Sequence, residues 1–301
     1  MRPGVISSPP AGDKTMERAL KPLRALAPIA GTALSTYLMM NAATFAQSDD
    51  EFMSLIGVTP EGQTCLMGGS LRGAIAEPDV LVDFMKTKQS YVMVRDSKPV
   101  GDALSIGPPE APEPGGDCEV EYLQELTLGP DQLGGFQLAA KGSEFDIRAR
   151  LPGDVKSIDT NSVPHREFMK KYLEKESVEN PDVRLRQVFE VDFDGDGKPE
   201  TIINALKTAR SNVRAGEYSI VLVVRGSLDD PTIIEVHKEI SLEDSTDPSL
   251  IVDQTIVSVF DIEGDGKKEL VLYGAFAFGE GWQAYRVREN DTEQVLFCGC
   301  G

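Results

Sequence analysis

In the second half of the chain, short apolar runs are separated by polar loops, and their order repeats. Arg186–Val191 leads into an acidic loop, Thr201–Leu206 leaves it, and Tyr218–Arg225 (YSIVLVVR) and Thr232–His237 follow. The order returns as Thr255–Phe260, Glu269–Phe276, Trp282–Val287 and Glu293–Phe297. Runs of this length, rich in β-branched and aromatic residues, predict strands, and the nearly unbroken YSIVLVVR predicts one buried on both faces. The polar stretch Glu239–Asp253 divides two four-stranded antiparallel units, one over 185–238 and one over 254–301.

Before them the period changes. Over 162–179, Phe168, Met169, Tyr172 and Leu173 form one stripe of a helix. Ser162 is placed to cap it, Pro164 suits its first turn, and Asn180-Pro181 ends it. Further upstream, Phe52–Pro60, Thr64–Leu66, Ser90–Arg95, Val100–Ile106, Cys118–Leu128, Phe136–Ala140 and Phe145–Ala149 predict strands. Pro78–Lys86 predicts a short helix, and the proline- and glycine-rich Gly107–Asp117 a loop. The expected fold is mainly β, with two blade-like four-stranded units at the C-terminus. Ahead of them come a mixed β half and one amphipathic helix. The boundaries are a leader over 1–46, a β-rich region over 47–160 and a repeat region over 161–301.

The chemistry lies in the two acidic loops. Val191–Asn204 (VDFDGDGKPETIIN) and Phe260–Tyr273 (FDIEGDGKKELVLY) align Asp192, Asp194, Asp196, Lys198 and Glu200 with Asp261, Glu263, Asp265, Lys267 and Glu269. Carboxylates at positions 1, 3 and 5 of a tight loop repel one another unless a cation lies among them. Ca²⁺ takes six to eight oxygens at about 2.3–2.6 Å and can be wrapped by such a loop. Gly195, Gly197, Gly264 and Gly266 permit the positive φ angles this wrapping needs. Position 7 would offer a backbone carbonyl, so Lys198 and Lys267 are tolerated there, and Glu200 or Glu269 would close the shell. An EF-hand needs a bidentate Glu at position 12. Here that position is Ile203 or Leu272, inside a strand.

The pattern D-x-[DE]-G-D-G-x-x-E between two strands resembles the calcium loops of FG-GAP/VCBS repeats, the propeller repeats of integrin α-subunits and many secreted bacterial proteins. The resemblance covers Arg186–Arg225 and Thr255–Gly301, and Phe278-Gly279 fits the same pattern. It implies blade hairpins closed by Ca²⁺ and a binding or scaffold role. Propellers need four to eight blades, and two are visible, so closure into a ring stays open. Glu263 departs from the usual Asp; its extra methylene makes the Asp192 loop the tighter of two expected sites.

Composition narrows the function. The net charge is −19 although residues 1–46 are net basic, so the remainder is strongly acidic. That excludes phosphate-backbone recognition, which needs a basic footprint. Arg18, Lys21 and Arg24 precede the apolar Ala25–Met40 and the small residues Thr44-Phe45-Ala46, the order of a secretory signal cleaved after Ala46. Met16 is a candidate start within that leader. An uncleaved N-terminal anchor is the alternative, because Ala25–Ala46 is long enough to span a bilayer. Cleavage would leave a secreted or periplasmic protein without stable membrane insertion. Its partners would be calcium and an extracellular protein or glycan.

Four cysteines (Cys65, Cys118, Cys298 and Cys300) would then meet an oxidising compartment. Three pairings are open; Cys65 with Cys118 is the expectation, leaving Cys298 and Cys300 together at the C-terminus. The only histidines, His165 and His237, adjoin no recognisable nucleophile motif, and no nucleophile elbow, zinc helix or phosphate loop occurs. A non-catalytic module is favoured, and a secreted hydrolase or lyase with an unrecognised site is the alternative. Tyr273–Tyr285 (YGAFAFGEGWQAY) is either a cross-strand aromatic cluster or a ligand platform, the first being favoured.

Overall fold

The computed structural model describes residues 51–111, 122–143, 145–209, 212–247, 251–276 and 279–300. The leader, Cys118 and Phe278 lie outside them. The fold is mainly β, and every strand pairing is antiparallel.

The repeat region forms two meanders. Strands β9 (Leu185–Val191), β10 (Glu200–Lys207), β11 (Glu217–Ser227) and β12 (Asp230–Ser241) pair in sequence order. The short β8 (Val155–Ser157) adds a fifth strand beside β9. Strands β13 (Asp253–Phe260), β14 (Glu269–Phe276), β15 (Gly279–Val287) and β16 (Thr292–Cys300) repeat the order. The apolar runs therefore became the strands expected of them. The N-terminal region makes a seven-stranded sheet from β1 (Phe52–Val58), β2 (Thr64–Leu71), β3 (Ala74–Ala76), β4 (Ser90–Arg95), β5 (Lys98–Ser105), β6 (Leu126–Thr127) and β7 (Gln137–Gly142). Its order is β3-β2-β1-β7-β4-β5-β6.

The three sheets stack face to face because their strands alternate between two apolar layers. In β14, Val271 and Tyr273 join a core with Met53, Leu55, Met67 and Leu138 of the seven-stranded sheet. Leu270 and Leu272 turn the other way, onto Phe189, Ile202, Val221 and Val223 of the five-stranded sheet. In β11, Ile220, Leu222 and Val224 face a third layer against Phe168, Met169 and Leu173 of helix α2 (Val163–Lys175). Each such side chain, fully buried, contributes about 1.5–3 kcal/mol of transfer free energy. Tyr273 and Trp282 are cross-strand partners with ring centroids 5.1 Å apart, and Phe136 stacks on Tyr273. Trp282 is 2% exposed, and its indole lies where a side chain on Gly57 would have to go. The aromatics are thus a core cluster.

Several expectations are corrected. Helix α2 stops at Lys175 rather than running on to 179. Ser177 adopts φ 70°, its N–H donates to the Glu174 carbonyl, and Val178 N–H reaches back to that of Leu173. This Schellman closure tucks Val178 into the helix–sheet core. Ser162 does not cap the helix backbone. Phe145–Ala149 is no strand: the Asp146 carboxylate accepts the Arg148 N–H at 3.0 Å and winds Ile147–Arg150 into a 3₁₀ turn. Pro78–Lys86 splits into helix α1 (Pro78–Leu81) and a 3₁₀ turn at Val82–Phe84. Of Cys118–Leu128, the described part forms strand only at Leu126–Thr127. No helix among the described residues is long and apolar enough to cross a membrane.

The largest correction concerns the cysteines. Cys65 on β2 is bonded to Cys298 on β16, with Cα atoms 6.1 Å apart, and not to Cys118. The bond joins sheets already packed through one core and spans 233 residues of sequence. Chain-entropy reasoning gives a loop of that size about 5 kcal/mol. Non-reducing peptide mapping should recover Cys65 joined to Cys298. The double serine variant should be less stable by up to this amount; a Cys65–Cys118 peptide would contradict the pairing.

Candidate metal centre

Each acidic loop joins the first two strands of its meander, so the paired strand ends bring positions 1 and 9 together. In the first loop Gly195 and Gly197 take φ of 79° and 85°. The chain curls until the Asp192 carboxylate accepts N–H groups from Gly195 (2.8 Å) and Gly197 (3.1 Å). Glu200, 5% exposed, accepts the Phe193 N–H at 2.8 Å. The result is a group of three acids: one oxygen from each of Asp192, Asp194 and Glu200 lies within 4.8 Å of the others. Such a spacing matches one cation's oxygen shell.

Two expected members lie apart from this group. Asp196 accepts the backbone N–H of Lys198 at 2.7 Å and its ammonium at 3.1 Å. These bonds hold the Asp196 carboxyl below its usual range and raise the Lys198 ammonium. Burial acts oppositely on Glu200, raising its carboxyl.

The second loop has the same backbone. Gly264 and Gly266 take φ of 80° and 88°. Asp261 accepts from their N–H groups at 2.5 and 3.1 Å, and Glu269 accepts the Ile262 N–H at 2.9 Å. Asp265 accepts the Lys267 N–H at 2.9 Å. The side chains differ. Glu263 is bound by the Arg286 guanidinium, whose Nε lies 3.9 Å from Glu269. Arg150 Nη1 lies 3.7 Å from Asp261. Among the described residues, Asp261, Glu263 and Glu269 do not close into a three-acid group as the first loop does. The two loops are neighbours, joined by a Lys268 N–H bond to the Phe193 carbonyl at 3.1 Å.

Two arginines outside the aligned loops stand beside their carboxylates. Arg286 pairs in register with Glu269, and Arg225, beside the Val224–Thr201 pair, lies opposite Glu200. The same structural position thus recurs in both units. It sits at different distances along the chain because the β10–β11 connection is longer. An arginine ending an apolar strand was the only available signal.

Both histidines have local side-chain partners. Ser162 Oγ and His165 Nδ1 lie 2.7 Å apart on the first turn of α2, and burial lowers the imidazole's pKa. His237 Nε2 lies 3.4 Å from Glu239. A shallow cavity between Val100, Leu104, Pro130 and Gln132 contains neither. Comparison with protein-family models, curated proteins and solved structures returned no match.

Glu269 generates a prediction. Burial pushes its carboxyl up to about 8, assisted by Glu263 and Asp261 and opposed by the Ile262 N–H and Arg286. Between its ordinary value of 4.5 and about 8 the folded chain holds a proton that the unfolded chain releases. The group's contribution to stability therefore falls as pH rises through that window. In chelator, stability relative to Glu269→Gln should decline from pH 5 to pH 8. A difference that stays flat with pH would show that Glu269 is ionised throughout.

Proposed function

We propose that this chain is an exported calcium-binding repeat protein of the FG-GAP/VCBS kind, acting as a non-catalytic binding or scaffold module. The observation that carries the reading is the convergence of Asp192, Asp194 and Glu200 oxygens within 4.8 Å of one another. Their donor set is all oxygen, the chemistry Ca²⁺ prefers over softer metals. The ion would offset the mutual repulsion of these carboxylates and tie the end of β9 to the start of β10. Its role is structural, since a carboxylate held as an anion by a cation is a poor general acid. The recurrence of the loop in a second meander and the antiparallel pairing of both meanders support the family likeness. The leader, the acidity and the Cys65–Cys298 bond support a secreted or periplasmic place. An extracellular protein or glycan is the class of partner that follows.

The competing reading, a secreted hydrolase or lyase, rests on the Ser162–His165 contact. Ester hydrolysis that vanishes in Ser162→Ala, with melting temperature retained, would favour it.

Calcium titration should give a dissociation constant of about 10⁻⁴–10⁻³ M, the range of extracellular modules, and a rise in melting temperature in millimolar Ca²⁺. Asp194→Ala should abolish most of that rise, because Asp192 and Glu200 are left with no third acid between them. Glu263→Ala should keep it. No heat and no thermal shift, or equal losses in the two variants, would count against this assignment.

A further inference from the structure

We propose that the second acidic loop takes no divalent cation, because Arg150 and Arg286 supply its positive charge from within the chain. The proposal deepens the calcium reading and rests on it for the number of ions bound.

Both loops place an arginine of the third strand opposite the position-9 glutamate, but the two arginines are engaged differently. Arg225 divides its guanidinium. Its Nη1 donates to the carbonyls of Arg288 and Glu289 at 3.3 Å. Its Nη2 stands 3.5 Å from Asp194 and its Nε 3.9 Å from Glu200. That Nε makes no hydrogen bond. The first loop thus has one guanidinium at ion-pair distance from positions 3 and 9, shared with two backbone carbonyls. Arg286, in contrast, binds Glu263 directly through Nη2 while Nη1 holds Glu293 at 3.2 Å. The longer position-3 side chain, expected to crowd a metal, instead reaches a guanidinium.

A second arginine completes the difference. Arg150 ends the 3₁₀ turn at Ile147–Arg150, and its own carbonyl accepts the Asp261 N–H at 2.9 Å. Its guanidinium lies over the Phe145 ring at 4.3 Å, with Nη2 3.6 Å from Glu51. Nη1 lies against Asp261 and fills the space beside Gly264 where any side chain would stand. Gly195, the matching residue of the first loop, meets only the Gly266 carbonyl, at 3.3 Å. No ion pair reaches Asp192 among the described residues. Position 1 and position 3 of the second loop are therefore each matched by a guanidinium held in place by other partners. A divalent ion entering there would face two fixed like charges within a few ångströms, and that repulsion is strongest where water is excluded. The residues of the second loop do not fit the metal that its sequence suggests.

The test uses the full mature protein and Ca²⁺ alone, followed by calorimetry and native mass spectrometry. One ion per chain is expected. Asp194→Asn should remove it, and Glu263→Gln should leave it. Two ions, one of them lost in Glu263→Gln, would overturn the proposal. No bound ion in the wild type would sink the calcium reading of the first loop. The arginine claim is judged separately, by melting in chelator. There Arg286→Met should lower the melting temperature more than Arg225→Met. The Arg286→Met, Glu263→Gln double variant should melt no lower than the worse single variant. Equal losses for the two arginines, or additive losses in the double variant, would overturn it.

Discussion

Strand β13 is the constraint on which the stack depends. It is the edge strand of its sheet, yet it lies between two others, so its open backbone edge must be satisfied inside the protein. Side chains do this. The Gln187 amide accepts the Ile256 N–H and donates to the Ile256 carbonyl, both at 2.8 Å, as a neighbouring strand would. Asn204 donates to the Gln254 carbonyl at 2.9 Å. From the other side, Asp96 N–H reaches the Val257 carbonyl at 3.1 Å and Ser97 Oγ accepts the Val259 N–H at 2.8 Å. Asp96 and Ser97 both have positive φ, 49° and 60°, the tight two-residue turn between β4 and β5. The register slip in β13 between Ile256 and Ser258 allows its Val257 carbonyl to face that turn. All three sheets therefore meet on one strand.

A stack of sheets, like any repeat array, must cover the apolar face at each end. Here the five-stranded sheet buries its outer face under α2, whose Tyr172 hydroxyl donates to Glu235 on β12 at 2.7 Å. At the other end the seven-stranded sheet gathers Ile56, Val58, Leu66, Tyr91 and Met93 beneath Met85. The disulfide joins β2 to β16 across the core between the other two faces.

The second half of the fold was legible because its signal is local. Strand period, an acidic turn and a return strand lie together within 185–207 and again within 253–276, so each hairpin is specified by its own stretch of chain. What stayed illegible was set by partners distant in sequence. Arg150 reaches Asp261, Gln187 reaches Ile256 and Cys65 reaches Cys298 only once the sheets are stacked. Phe145–Ala149 failed for the opposite reason: its apolar alternation was genuine, but Asp146 capped a 3₁₀ turn first. At the site, the curl of the loop and the pairing of positions 1 and 9 followed from the glycines and strand ends. The fate of each carboxylate did not, because it depends on arginines from other strands.

The two loops also show one sequence motif placed in two different charge environments. Their backbones share three bonds: position 1 accepts from both glycines, and position 9 accepts the N–H that follows position 1. This bracket uses the carboxylates as hydrogen-bond acceptors, and so it keeps the curl whatever cation is present. The remaining requirement is only that the negative charge of two adjoining loops be offset. Guanidinium groups stand at ion-pair distance from positions 1, 3 and 9 of the second loop and from positions 3 and 9 of the first, and the proposed ion would supply the difference. The backbone hydrogen bonds hold the same curl in both loops, and it is the side chains packed around each that differ.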